Sequence, residues 1–421
     1  MGAFVIRGCE IYLGGAFVPA ELEVRGGVVT ALGGGIVPGE GASVYNFKNC
    51  IVVPGLADVH VHLREPGFSY KETVASGTRA AARSGYAALC AMPNLSPVPE
   101  DAATLAQELE IIRRDAVIDV LPYGAITRGQ RGAQLADMSA MSPYVCGFSD
   151  DGRGVQSREL MRAAMLEAKR LGRPIAAHCE DNSLLRGGYI HAGEYAKAHG
   201  HRGICSESEW GPIARDIELL RETGCAYHVC HISTAESAAL IRSAKREGLD
   251  ITCETAPHYL LLSDSDLQED GRFKMNPPLR SERDRLALIE ALRDGTIDIL
   301  ATDHAPHSAE EKSRGLAGSA FGITGLETAF PLLWTGLVEP GIITRERLVE
   351  LMSTAPARRF GIESGIEPGG PATFAVFETE TTYRIDPERF ASKGRATPFA
   401  GREVRGRCVL NVVRGREVWR A

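Results

Sequence analysis

Between residues 51 and 302 eight short apolar runs recur, at 51–61, 86–92, 118–125, 145–149, 174–178, 226–232, 250–254 and 297–302. Helical or loop-like stretches separate them, and that alternation constrains the fold more than any other feature of the chain. A strand covered on both faces reads as a continuous apolar run, and parallel neighbours need a crossover between them. The clearest helical periods fall at 157–171, 209–223, 234–247 and 281–294, with Thr234 and Ser281 placed as N-caps and Gly224, Gly248 and Gly295 as stops. Eight such units predict an α/β fold, a (β/α)8 TIM-like barrel, with an open doubly wound sheet as the alternative.

The chain ends have a different texture. Residues 1–53 are short strands at 4–6, 11–13 and 28–32, interrupted by Gly33-Gly34-Gly35. After a last helix at 344–360 the same style returns at 372–377 and 408–413, where Arg414-Gly415-Arg416 turns into 417–419. The shared style predicts that the ends pair. The expected domains are a barrel at 54–362 and a small β-sandwich built from 1–53 and 363–421. One connection, 179–208, has little periodicity and reads as a surface loop over a barrel face. Residues 308–320 are polar with glycines and read as a mobile surface loop, with a lid over the site as the alternative.

His60 and His62 stand two apart at the end of the first run, so in a strand both rings share a face. Two readings fit the pair: metal ligands, or rings satisfied by hydrogen bonds. In a barrel the chemistry collects at the C-terminal strand ends, and those ends carry more of the same residue types. Arg64 follows the first strand, Asn94 the second, Asp150 and Asp151 the fourth, His178 the fifth, His231 the sixth, and Asp303, His304 and His307 the eighth. Four imidazoles and two carboxylates can hold two borderline metals; Zn²⁺ suits the set, and Mn²⁺ or Co²⁺ are alternatives. The ten cysteines form no CxxC pair and read as free thiols, neither a zinc site nor a disulfide framework. A net charge of −7 argues against a nucleic-acid surface, and no apolar run approaches the ~20 residues of a membrane span. The N-terminus lacks the pattern of a signal peptide, so a cytoplasmic protein is expected.

The runs HVHLR at 60–64, MPN at 92–94, FSDDG at 148–152, AHCEDN at 177–182, HVCHIST at 228–234, CETAPHYL at 253–260, KMNPPLR at 274–280 and ATDHAPH at 301–307 resemble the bacterial type I dihydroorotases of the amidohydrolase superfamily. The resemblance implies two Zn²⁺ per subunit. His60, His62 and Asp303 would hold one, His178 and His231 the other, and Asp151 would bridge them where many superfamily members use a carboxylated lysine. It implies substrate contacts from His62, Arg64, Asn94, Asn276 and His307 and from the backbone of Phe321 and Gly322. Arg64 would share the face of His62 if the strand continued that far. The implied reaction is the reversible hydrolysis of (S)-dihydroorotate to N-carbamoyl-L-aspartate in pyrimidine biosynthesis. A metal-activated hydroxide would attack, with Asp303 as general base and then acid. The partners implied are a small-molecule substrate, a second copy of the chain in a homodimer, and aspartate transcarbamoylase. The rival readings are another cyclic amidohydrolase, a hydantoinase or allantoinase, and a non-catalytic partner of aspartate transcarbamoylase.

Overall fold

Residues 2–421 are described by a computed structural model. The chain opens with β1 (Phe4–Leu13), β2 (Ala16–Arg25), β3 (Val28–Gly33), β4 (Ser43–Asn46) and β5 (Cys50–Pro54). The two short strands expected at 4–6 and 11–13 are one. The register against β2 shifts between Ile6 and Cys9, where Gly8 takes a φ of 79°, and the bulge keeps the strand continuous.

The apolar run 51–61 is two strands rather than one. At Gly55 the chain leaves β5 and enters β6 (Leu56–Val61), the first strand of the barrel. A Cβ at Gly55 would lie 2.4 Å from the Cβ of Ala87, so only glycine passes there. The barrel continues through β7 (Tyr86–Ala91), β8 (Asp119–Ala125), β9 (Gly147–Ser149) and β10 (Ile175–Ala177). After a small lobe holding β11 (Ile190–His191) and β12 (Gly203–Ile204) come β13 (Tyr227–Val229), β14 (Ile251–Thr255) and β15 (Ile299–Leu300). The eight barrel strands pair in chain order, all parallel. Short contacts close the seam between β15 and β6. His62 N donates to His304 O at 2.9 Å, and Thr302 N meets both carboxylate oxygens of Asp58 at 3.2 Å. Burial pushes the Asp58 carboxyl up to about 7.

The remaining strands are β16 (Phe374–Glu378), β17 (Tyr383–Arg384), β18 (Glu403–Val404), β19 (Arg407–Val413) and β20 (Arg416–Arg420). β16 lies antiparallel to β5 and joins the chain ends into one sheet ordered β20-β19-β16-β5-β1-β2-β3, with β4 beside β1. Strand parity divides its two faces. Cys50, Val52, Phe374, Val376, Leu410 and Val412 form a core with Ile6, Ile11, Leu22, Val24 and Val29. Ile51, Val53, Ala375 and Phe377 turn the other way, into the barrel core. The sheet curls until Gly415 meets Gly27, where a Cβ on Gly415 would lie 2.0 Å from the Gly27 Cα.

The barrel helices begin and end on local chemistry. Ser157, Thr234 and Ser281 cap helices Arg158–Leu171, Ala235–Arg246 and Glu282–Arg293, each accepting a backbone N–H from the first turn. Gly224 stops Glu207–Thr223 in the left-handed conformation. The segment 179–208 is more ordered than a surface loop: β11 pairs with β12 in parallel, and helix Glu194–His199 lies between them. Residues 308–320 contain two single-turn helices, Ala309–Lys312 and Gly315–Gly318. No helix of the described residues is long and apolar enough to cross a membrane.

One helix carries a misplaced charge. Glu108, on Ala102–Asp115, is buried with its Oε2 unpartnered, and burial pushes its carboxyl well above the usual 4.5. A folded-state pKa above the unfolded one means that stability falls as pH rises above about 4.5. Glu108→Met should therefore stabilise the protein by about 1–3 kcal/mol near pH 8, with the gain shrinking toward pH 5. Urea midpoints at the two pH values check this.

Candidate active site

The C-terminal ends of five barrel strands deliver six polar side chains to one point. His60 lies within β6 and His62 just beyond it; Asp151 follows β9, His178 follows β10, His231 follows β13 and Asp303 follows β15. All six are buried. Asp151 stands at the centre. Its Oδ1 is 3.4 Å from His60 Nε2, His178 Nδ1 and His231 Nε2, and its Oδ2 is 3.5 Å from His62 Nε2. Asp303 Oδ1 is 3.2 Å from His62 Nε2 and 3.6 Å from His60 Nε2. His178 Nδ1 and His231 Nε2 are 2.9 Å apart. His231 (φ 33°) and Asp303 (φ 46°) hold left-handed backbone conformations that non-glycine residues rarely adopt. Such strain persists where the surroundings impose it, and it gathers at functional sites.

The outward nitrogens fix the tautomers. His60 Nδ1 donates to Glu254 Oε1 at 2.6 Å, His62 Nδ1 to Asn94 Oδ1 at 2.8 Å, and His178 Nε2 to Glu180 Oε2 at 3.4 Å. In its neutral form each ring would therefore turn a lone pair inward, the arrangement that outer carboxylates and amides impose on metal-binding histidines. Glu254 does most. Buried on β14, it also accepts from His228 Nε2 at 3.0 Å and from the backbone of His231 at 3.3 Å. Its carboxyl is held far below the usual range, because His60 and His228 outweigh its burial.

This charge pattern asks for a cation. His60 Nε2 and Asp151 Oδ1 are buried and have no hydrogen-bond partner, a cost of about 1–3 kcal/mol for each neutral group and more for an ionised one. Burial opposes charge on both Asp151 and His60, yet their mutual attraction wins: Asp151 is held well below the carboxylate range and His60 well above the usual imidazole value. Against the same burial, Asp151 and Glu180 bring His178 up to about 10. A proton on these rings does the neutralising that a divalent cation would do better. The donor set of imidazole nitrogens and carboxylate oxygens fits one, and His60-His62-Asp303 and His60-Asp151-His231 each bring three ligand atoms within 4.8 Å of one another.

The other expected residues lie beside the cluster. Asp150, adjacent to Asp151, turns away and accepts from the backbone of Ile126 and Thr127 at 2.9 and 3.0 Å. Arg64 arrives by a different route from the one expected. The strand ends at Val61, and Arg64, with a φ of 63°, swings its guanidinium to Pro306 O at 3.2 Å. His307, brought down to about 3 chiefly by burial and the nearby Arg64 and Lys71, is neutral and donates from Nε2 to Phe321 O at 2.8 Å. Gly322 (φ 125°) packs where a Cβ would lie 2.7 Å from Ala305. Asn276 Nδ2 donates to Glu180 Oε1 at 2.8 Å, which leaves its Oδ1 buried and unpartnered. Glu254 and Glu180 were assigned no role from sequence. The visible signal for Glu254 was a carboxylate at the end of the apolar run 250–254.

A barrel with this cluster of imidazoles and carboxylates at its strand ends defines a metal-dependent hydrolase of cyclic amides. Residues 49–237 match the family model described as Dihydro-orotase-like. The dihydroorotase of Bacillus caldolyticus is 46% identical over 422 residues, covering 100% of this chain and 99% of that protein. The dihydroorotase of Geobacillus kaustophilus is 47% identical over 423 residues, with the same coverage. Among solved structures, the L-hydantoinase (dihydropyrimidinase) of Arthrobacter aurescens superposes with a TM-score of 0.88 at 25% identity, over 100% of this chain and 96% of that one. The dihydropyrimidinase of Brevibacillus agri gives 0.86 at 23% identity, over 99% and 95%. The chain belongs to the dihydroorotase family.

Proposed function

We propose that the protein is a dihydroorotase, interconverting (S)-dihydroorotate and N-carbamoyl-L-aspartate in pyrimidine biosynthesis. The observation that carries this reading is Arg64, a buried guanidinium whose hydrogen-bond contacts are Pro306 O and the His307 ring rather than a carboxylate. Asp303, Asp151, Glu311 and Glu72 steady that buried charge only from a distance, and the planar fork of arginine matches a carboxylate brought into direct contact. Burial lowers Arg64 only to about 10, so it is charged at neutral pH. Dihydroorotate brings a carboxylate; hydantoin and allantoin do not.

The ligand assignment supported by the geometry is His60, His62 and Asp303 for one Zn²⁺, His178 and His231 for a second, and Asp151 between them. Bound there, zinc supplies Lewis acidity, lowering the pKa of water and polarising the amide carbonyl. Asp303 turns Oδ1 toward the two imidazoles and keeps Oδ2 for a proton taken from the attacking water and returned to the ring nitrogen. Asn94 spends its Oδ1 on His62 and offers its Nδ2 to the substrate carboxylate beside Arg64. Asn276 Oδ1 accepts from a ring N–H. His307, His62, Phe321 and Gly322 complete the wall. A homodimer, association with aspartate transcarbamoylase and a cytoplasmic place of action come with the family reading and rest on it alone.

Metal analysis together with turnover assays on dihydroorotate, hydantoin and allantoin tests the proposal. Zinc-loaded protein that opens hydantoin and leaves dihydroorotate untouched would end it. Arg64→Met should raise KM for dihydroorotate about a hundredfold, the worth of a charge-assisted fork of roughly 2–3 kcal/mol. Steady-state kinetics at unchanged metal content measures that loss.

A further inference from the structure

Lys312 is almost wholly buried, at 7% exposure, in the middle of the polar segment after Asp303. Its ammonium donates to three backbone carbonyls: Lys274 O at 3.0 Å, Ala320 O at 2.8 Å and Gly322 O at 2.7 Å. An ammonium has three donors and no acceptor, so three carbonyls satisfy it completely. The carbonyls come from two segments distant in sequence. Gly322 N also donates to Lys274 O at 3.1 Å, and the Lys274 ammonium lies 4.5 Å over the Phe321 ring. Asn276 is two residues beyond Lys274, and Phe321 O receives the His307 hydrogen bond.

We propose that Lys312 is a positioning residue for the substrate: its ammonium fastens the 320–322 backbone to the 274–276 segment and so fixes the wall that faces the pyrimidine ring. The proposal rests on the reading of Asn276, Phe321 and Gly322 as substrate contacts. It gives the polar segment 308–320 a function that does not depend on its moving. The segment is fastened from inside, and the fastening lies behind the two stretches that would touch the ring. Three converging carbonyls repel one another when no donor lies between them, so losing the ammonium opens the wall without disturbing the metal ligands.

The protonation state adds a second readout. Burial brings Lys312 down to about 7, and the charged groups facing it are Lys274, Asp270 and Glu311. A neutral amine has two N–H groups for three carbonyls. The wall is therefore complete below this pKa and loosens as pH rises through it.

Lys312→Met should raise KM for dihydroorotate about tenfold near neutral pH while kcat changes less than about threefold. Metal content should stay at the wild-type level. Wild-type KM should climb on the alkaline side of neutrality, and Lys312→Met should lack that climb. A wild-type KM in the variant, or an alkaline climb that survives the substitution, overturns the proposal. Asn276→Ala, assayed in parallel, separates the two levels of the argument. If its KM is unchanged, the substrate-contact reading fails; if its KM rises while that of Lys312→Met does not, the role of Lys312 alone fails.

Discussion

Asp303→Asn should retain metal and lose about a thousandfold or more in kcat, the upper part of the range for removal of a general base. The amide keeps the shape of the side chain and an oxygen able to face His62 and His60, now 3.2 and 3.6 Å from Oδ1. The other ligands are untouched, so metal analysis should find near-normal content. What disappears is a group able to take a proton. His62 and His60 outweigh burial and hold the Asp303 carboxyl below its usual 3.8, so the wild-type base is ionised throughout the assay range. The loss should then fall on kcat and on kcat/KM alike, because the proton moves only as the transition state forms. A variant within about tenfold of wild type would transfer the role to another group and leave Asp303 a ligand only.

The parts of the fold that were legible in sequence are those where one physical signal dominates. Barrel strands buried on both faces read as apolar runs, and each observed strand falls within its run apart from Thr255, one residue past the expected end of β14. Thr234, Ser281 and Gly224 mark helix ends because the chemistry of a cap or a stop is local. The break at Gly55 was not visible, because an apolar strand of one sheet runs directly into an apolar strand of another. The lobe at 179–208 was missed because two-residue strands carry no period. His60 and His62 could be placed on one face by parity alone. The position of Arg64 was anticipated for a reason that does not hold: the strand stops first, and a left-handed residue turns the side chain to Pro306 and His307. Left-handed backbone at His231 and Asp303 is imposed by tertiary structure, and no local pattern encodes it. The partner of His60, Glu254, comes from another strand end, and nothing near that histidine in sequence reveals it; Glu180 stands two residues after its partner His178, but proximity in sequence alone does not tell a ring partner from a solvated carboxylate.

Glu254 is where that hidden layer should have its largest effect. Two substitutions separate its charge from its packing. In Glu254→Gln the side-chain oxygen can still accept from His60 Nδ1, while His228 adjusts by exchanging its tautomer between Thr252 Oγ1, now at 2.8 Å, and the new amide. Packing survives and the negative charge is lost, so His60 becomes a poorer ligand. Metal affinity should fall about 10- to 100-fold, as expected when the partner of a metal-binding histidine is removed, with little change in melting temperature once the metal has been stripped. Glu254→Leu removes the acceptor as well. His60, His228 and the backbone N–H of His231 then lose a common partner, and breaking such a buried charged network costs about 3–5 kcal/mol. That variant should be destabilised even without metal. Competition titrations with a chelator and melting curves of the stripped proteins measure the two effects independently. If Glu254→Gln binds metal as tightly as the wild type and only Glu254→Leu suffers, then Glu254 is a packing residue, and the orientation of His60 is set by β6 alone.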